Sequence, residues 1–212
     1  MRYFILGLLI FSSTLYSQGN TPELNEGIMF ITNYVASANY DSLKLHHTDL
    51  ELVDSIYYNT LKFYNNNYSE ALLALTIACL PIENFDIKIP LINIKVPLHV
   101  PIPKSELHKK KNKNLPKQFL FTKKHNDVDK LSHFFGNAFW SYNIQNTRFT
   151  TILGYFVEYF EALFKVDGAL DKRDIFINKL GENFGLELNF NKFAKPSEYF
   201  MKLNYYQENQ YE

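Results

Sequence analysis

The sequence predicts a mainly α protein, a compact bundle of about five to six helices carrying a proline-rich extended β arm or hairpin. Three observations carry this. Apolar residues recur at spacings of three and four over 23–38 and 49–64, fill 68–80 nearly all round, and dominate 127–143, 150–165 and 172–188, patterns of helices packed on a core. Between 86 and 103 the period switches to two (Ile87, Ile89, then Ile92, Ile94, Val96, Leu98, Val100), which is extended chain. Pro90, Pro97, Pro101 and Pro103 lie in that same stretch and remove ladder donors, so it reads as an edge ribbon rather than a central strand.

Taken in order, 23–38 and 49–64 are amphipathic, with Asp49 placed to cap the second helix. The run 68–80 is apolar nearly all round, through Ala71, Leu72, Leu73, Ala74, Leu75, Ile77 and Ala78. That pattern belongs to a buried helix, ended here by Pro81. Cys79, the only cysteine, reads as a small buried hydrophobe. Lys104, Lys109, Lys110, Lys111, Lys113 and Lys117 follow the ribbon against a single acid, Glu106. This Lys104–Lys117 loop is read either as a solvated connection or as a basic patch for peripheral contact with anionic lipid or an envelope polymer. No aromatic residue is interleaved there, so nucleic acid is not an expected partner.

Residues 1–17 read as an export signal, with Arg2 before an apolar run from Phe4 to Phe11 and a cut after Ser17. The run is shorter than the ~20 residues a membrane-spanning helix needs. The expected product is an exported protein, periplasmic or envelope-associated, with one helical domain over 18–204 and a frayed tail over 205–212. Basic and acidic residues balance at 22 each, so partners must be recognised locally. Envelope lipid, cell-wall polymer or an envelope protein are the expected partners.

Within the apolar C-terminal helices lies a spaced set of polar residues. On 127–143, Asp129, His133, Gly136 and Trp140 form one stripe, with Lys130 beside it; Val128, Leu131, Phe135, Ala138, Phe139 and Tyr142 form the core-facing stripe opposite. A glycine and the only tryptophan on the polar stripe predict burial on both sides. On 150–165, Thr151, Gly154, Glu158, Glu161 and Lys165 share a stripe; Glu161 and Lys165 suit a surface ion pair, and Glu158 is either solvated or part of a site. On 172–188, Asp174, Asn178, Gly181 and Gly185 align. Two glycines on one helical stripe cost roughly 2 kcal/mol against alanine, a cost that close packing of another helix offsets. Asp174, with Asp171 as N-cap, also suits a first-turn acid.

The helix start Asp129-Lys130-x-x-His133, the helix Gly154-x-x-x-Glu158-x-x-Glu161 and the helix Asp174-x-x-x-Asn178-x-x-Gly181-x-x-x-Gly185 together resemble the VanZ-like family and related periplasmic envelope proteins. The resemblance covers about 127–188. It implies a helical envelope protein whose signature residues are Asp129, Lys130, His133, Glu158, Asp174 and Asn178, and it implies no particular reaction. VanZ-like helices span membranes, whereas charged residues interrupt the candidate here.

Two functions fit these residues. The first is a structural or partner-binding envelope protein whose polar residues tie three helices together, with Asp129, Lys130, Asn178, Glu161 and Trp140 as binding residues. The second is a metal-assisted or general acid–base hydrolase with His133, Glu158 and Asp174 as catalytic residues, and with His133, Asp129, Glu158 and Asp174 as ligands of a divalent metal. The usual enzyme signatures, HExxH, GxSxG and the phosphate loop, are absent from the chain.

Overall fold

The computed structural model describes residues 22–81, 84–89, 94–99, 105–118, 129–144 and 172–201. Helices dominate them. The predicted export signal over 1–17, the 150–165 stretch with Glu158 and Glu161, and the expected tail over 205–212 lie outside the described residues.

Helix α1 runs Leu24–Val35, and the Glu26 carboxylate accepts from the Glu23 N–H at 2.9 Å. It stops earlier than the sequence pattern predicts, because the Ser37 hydroxyl accepts the Tyr40 N–H and opens a separate short helix, α2, Ala38–Leu43. Helix α3, Asp49–Phe63, is capped by Thr48 rather than by Asp49: Thr48 and Glu51 form a reciprocal capping box. Asp49 instead accepts the N–H groups of Lys117 and Gln118, both at 2.8 Å.

Three asparagines make the next turn. Asn65 and Asn66 take positive φ, 51° and 64°, a region asparagine tolerates better than most residues, and the Asn66 N–H returns to the Leu61 carbonyl. The Asn67 side chain then caps α4, Tyr68–Ala78. Helix α4 packs against α1, α3 and helix α6 (Lys130–Ile144). It is therefore central, as its all-round apolar pattern requires, and Cys79 at its end is wholly buried with its thiol pushed up to about 12 by burial.

Two strands follow, β1 Asn84–Ile89 and β2 Ile94–His99, paired antiparallel with Asn84 opposite His99 and Ile89 opposite Ile94. The lysine-rich segment is largely not a loop, for Ser105–Asn114 is helix α5. Its lysines divide: Lys109, Lys110 and Lys113 are exposed, whereas Lys111 is 1% exposed and donates to the carbonyls of Ala78 and Leu80 at 2.8 and 2.9 Å. Asn112 donates to Pro81 O, and Asn114 donates to Val35 O and to Asp41. Lys110 pairs with Asp41 at 2.9 Å. Helix α5 thus carries its donors to the carbonyl ends of α1 and α4, which have no partners within their own helices. A uniform basic patch is not what these residues build.

Helix α6 packs on α4 and on α7, Lys172–Glu187. A further short helix spans 196–201. The Asp54 carboxylate on α3 caps it, accepting the Ser197 N–H at 2.9 Å and the Ser197 hydroxyl at 2.6 Å. The core joins Ile31, Leu52, Tyr57, Leu72, Leu75, Phe134, Phe135, Ile177, Phe184 and Phe200. Among the described residues, no helix is long and apolar enough to cross a membrane.

Candidate functional site

Helix α6 is buried on every side over 130–136. Leu131, Phe135, Ala138 and Phe139 face the core together with Phe134. Of the opposite stripe, His133 meets α7, and beside it the carbonyls of Phe134 and Ala138 do so. Space for that meeting comes from α7: a β-carbon at Gly181 would collide with the Phe134 carbonyl, and one at Gly185 with the Ala138 carbonyl and the Ser141 hydroxyl. The two glycines therefore let backbone approach backbone.

That approach brings His133 and Asn178 together. His133 is 4% exposed, and its Nδ1 lies 3.2 Å from Asn178 Oδ1. Asn137, absent from the sequence-derived set, completes the group: its amide nitrogen donates to His133 O at 2.9 Å and to Asn178 Oδ1 at 2.8 Å. One turn on, Ser141 donates to Asn137 O at 2.9 Å. His133, Asn137 and Ser141 are four apart, so the ladder was present in the spacing. It was overlooked because Asn137 and Ser141 fall just off the stripe traced through Gly136 and Trp140.

Lys130 is 2% exposed and holds both carboxylate oxygens of its neighbour Asp129, at 2.9 and 3.0 Å. Asp129 is thereby committed to Lys130, and its carboxylate side chain remains 42% exposed. Its link to His133 is through the backbone, where the Asp129 carbonyl accepts the His133 N–H. Trp140 is partly buried, edge-on to Phe139. Asp174 is the third residue of α7, the first-turn position its spacing predicts. Ser132 adds a bond to α4, donating to Thr76 O at 2.8 Å.

Among the described residues, no three histidine, cysteine or acidic side chains group as a metal site. Of the predicted metal set, Glu158 and the side chain of Asp174 lie outside those residues, as does the 150–165 segment expected to form the third helix of the junction. Two shallow surface depressions, one between Pro22 and Phe63 and one beside Phe190 and Tyr199, include no residue of the His133 group.

No protein-family model matches the chain, and no curated protein or solved structure does.

Proposed function

We propose that this chain is an exported cell-envelope protein of the structural or partner-binding class, in which the His133–Asn137–Asn178 group locks the register of α6 on α7. The carrying observation is that the group ties the two helices together through side chains. The Asn137 amide donates to a carbonyl of its own helix and to the Asn178 oxygen of the next, and glycines bring the backbones into contact around it. Part-buried polar side chains bonded across a seam favour one arrangement of it. Glu158 and the 150–165 helix form the third side in this reading, as the VanZ-like resemblance implies.

Contact with the envelope is assigned to the loop after α7. Phe190 and Phe193 are 80% and 86% exposed, yet the loop between them is pinned: Tyr68 donates to Lys192 O at 3.0 Å, and Lys192 Nζ lies 4.7 and 4.6 Å from the Tyr68 and Tyr142 ring centroids. A braced loop that presents two phenylalanines suits a lipid interface. The paired strands β1 and β2 are a second contact surface in this reading.

A second reading, the metal-assisted or acid–base hydrolase, is favoured by one observation: a side-chain amide orients one ring nitrogen of His133, as in many bases and ligands. Metal analysis of the purified protein separates the two, together with urea unfolding of His133→Ala. A metal-free protein whose variant unfolds at lower urea supports the register lock. Stoichiometric divalent metal lost from a variant of unchanged stability overturns it.

A further inference from the structure

We propose that the β1–β2 ribbon seats in the boundary layer of an anionic phospholipid bilayer, with its apolar face toward the acyl chains and Lys88 and Lys95 among the headgroup phosphates. The proposal rests on the envelope-contact reading above and adds the partner and the mode of contact. It begins with the register. Phe85 pairs with Leu98, Ile87 with Val96 and Ile89 with Ile94; between them Asn84 pairs with His99, Asp86 with Pro97 and Lys88 with Lys95. Partners across a ladder share a face, and successive residues alternate between faces. One face of the ribbon is therefore apolar at all six positions, and the other is polar, charged or proline at all six.

Two strands alone are marginally stable in water and need a surface to cover their apolar face. Among the described elements, β1 and β2 pack chiefly on each other. The lysines decide which surface suits them. Lys88 stands directly opposite Lys95, a like-charge pair that weakens a ladder in water and that anionic headgroups relieve. A second copy stacked face to face would cover the apolar residues and leave the lysines repelling, so a bilayer accounts for both faces and a copy for one. The ribbon is then the extended counterpart of an amphipathic helix, whose apolar face enters the headgroup boundary by roughly 5–10 Å. Stable attachment takes two such signals, and the braced Phe190 and Phe193 loop supplies the other.

The test uses the full chain with vesicles of phosphatidylcholine, alone or mixed with phosphatidylglycerol. Cys79 is buried, so a cysteine introduced by Ile87→Cys or Lys88→Cys takes an environment-sensitive fluorophore by itself; Val96→Cys repeats the first in case one variant fails to fold. The expected result on mixed vesicles is a blue shift at 87 and at 96, quenched by a spin label in the acyl chains, with little change at 88. Lys88→Gln with Lys95→Gln is expected to weaken sedimentation with those vesicles roughly 25-fold, about fivefold for each lysine. Protein that pellets while the fluorophores at 87 and 96 do not respond overturns the proposal and leaves the envelope-contact reading standing on the loop. Wild-type protein that stays in the supernatant ends both. An equal response on phosphatidylcholine alone overturns the part given to the lysines. A blue shift that grows with protein concentration in the absence of vesicles overturns the proposal in favour of a second copy.

Discussion

The backbone of Gly181 lies directly against the carbonyl of Phe134, with no room for a methyl group between the two helices. The obstacle is a helical backbone rather than the end of a flexible side chain, so it cannot swing aside. Alanine at position 181 gains about 1 kcal/mol of helix propensity and meets an overpacking cost of about 1–3 kcal/mol or more. Gly181→Ala and Gly185→Ala are each expected to lower the urea midpoint, and the double variant more so. Unchanged midpoints would show that α6 and α7 are farther apart than described.

Tyr57 makes the opposite case. Its ring is fully buried, stacked with Phe135 and edge-on to Phe184, while its hydroxyl has no hydrogen-bond partner among the described residues. Burial raises its pKa strongly. Removing an unpaired buried hydroxyl relieves a desolvation cost of roughly 1 kcal/mol and keeps the ring contacts. Tyr57→Phe should be neutral or stabilising by thermal melting; a clear loss would mean the hydroxyl is bonded.

Lys111→Met keeps the aliphatic stem and deletes the ammonium that bonds Ala78 O and Leu80 O. Two buried carbonyls lose their donor, each at about 1–3 kcal/mol, partly offset by no longer burying a charge. A net loss of about 2–3 kcal/mol is expected in urea unfolding. Lys113→Met, at an exposed position of the same helix, should change stability little.

Much of this arrangement was legible in the residues, and the limits have physical causes. Glycines at 181 and 185, three and seven residues after Asn178, foretell a helix seam. The all-apolar run of α4 foretells a central helix. The role of Lys111 was not legible, because its partners are carbonyls 31 and 33 residues away, and backbone oxygens leave no trace in a sequence. Six lysines with one acid look like a solvated run whichever of them is buried. Asp49 failed as a cap for a local reason: Thr48 with Glu51 completes a capping box, and Asp49 one place later is released to hold Lys117 and Gln118.

Asp54 gives a pH dependence of definite sign. Burial raises its pKa above the ordinary carboxylate value, against the lowering effect of the Ser197 bonds and nearby Lys195; Glu198 adds to the rise. A raised folded value means the native state holds this proton more tightly than the unfolded chain. Its contribution is therefore full below the unfolded carboxylate pKa and is lost as pH rises through the raised folded value. Asp54→Asn keeps an acceptor for the Ser197 N–H and cannot ionise. Relative to wild type it should be more favourable at neutral pH than in acid, measured by urea unfolding across that range; the reverse trend would mean that folding lowers the Asp54 pKa.

Phe190→Ser with Phe193→Ser removes two exposed rings and no core contact. The double variant should melt as wild type does and lose sedimentation with vesicles containing anionic phospholipid. Wild-type protein that stays in the supernatant, or a variant that still pellets, would remove the loop from the envelope-contact reading.

The capping of α1 and α4 by α5 also sets an order of assembly. The carbonyls of Val35, Ala78, Leu80 and Pro81 are bonded by residues that come after the β1–β2 ribbon. A chain emerging from its amino end therefore has helix ends that fray until residue 114 has arrived. These contacts close long loops, which is slow relative to helix formation. The N-terminal helices can form early, but the bundle cannot finish early. For as long as its latter half is missing, such a polypeptide holds these carbonyls open to water, and any part of the bundle that has formed can still come apart.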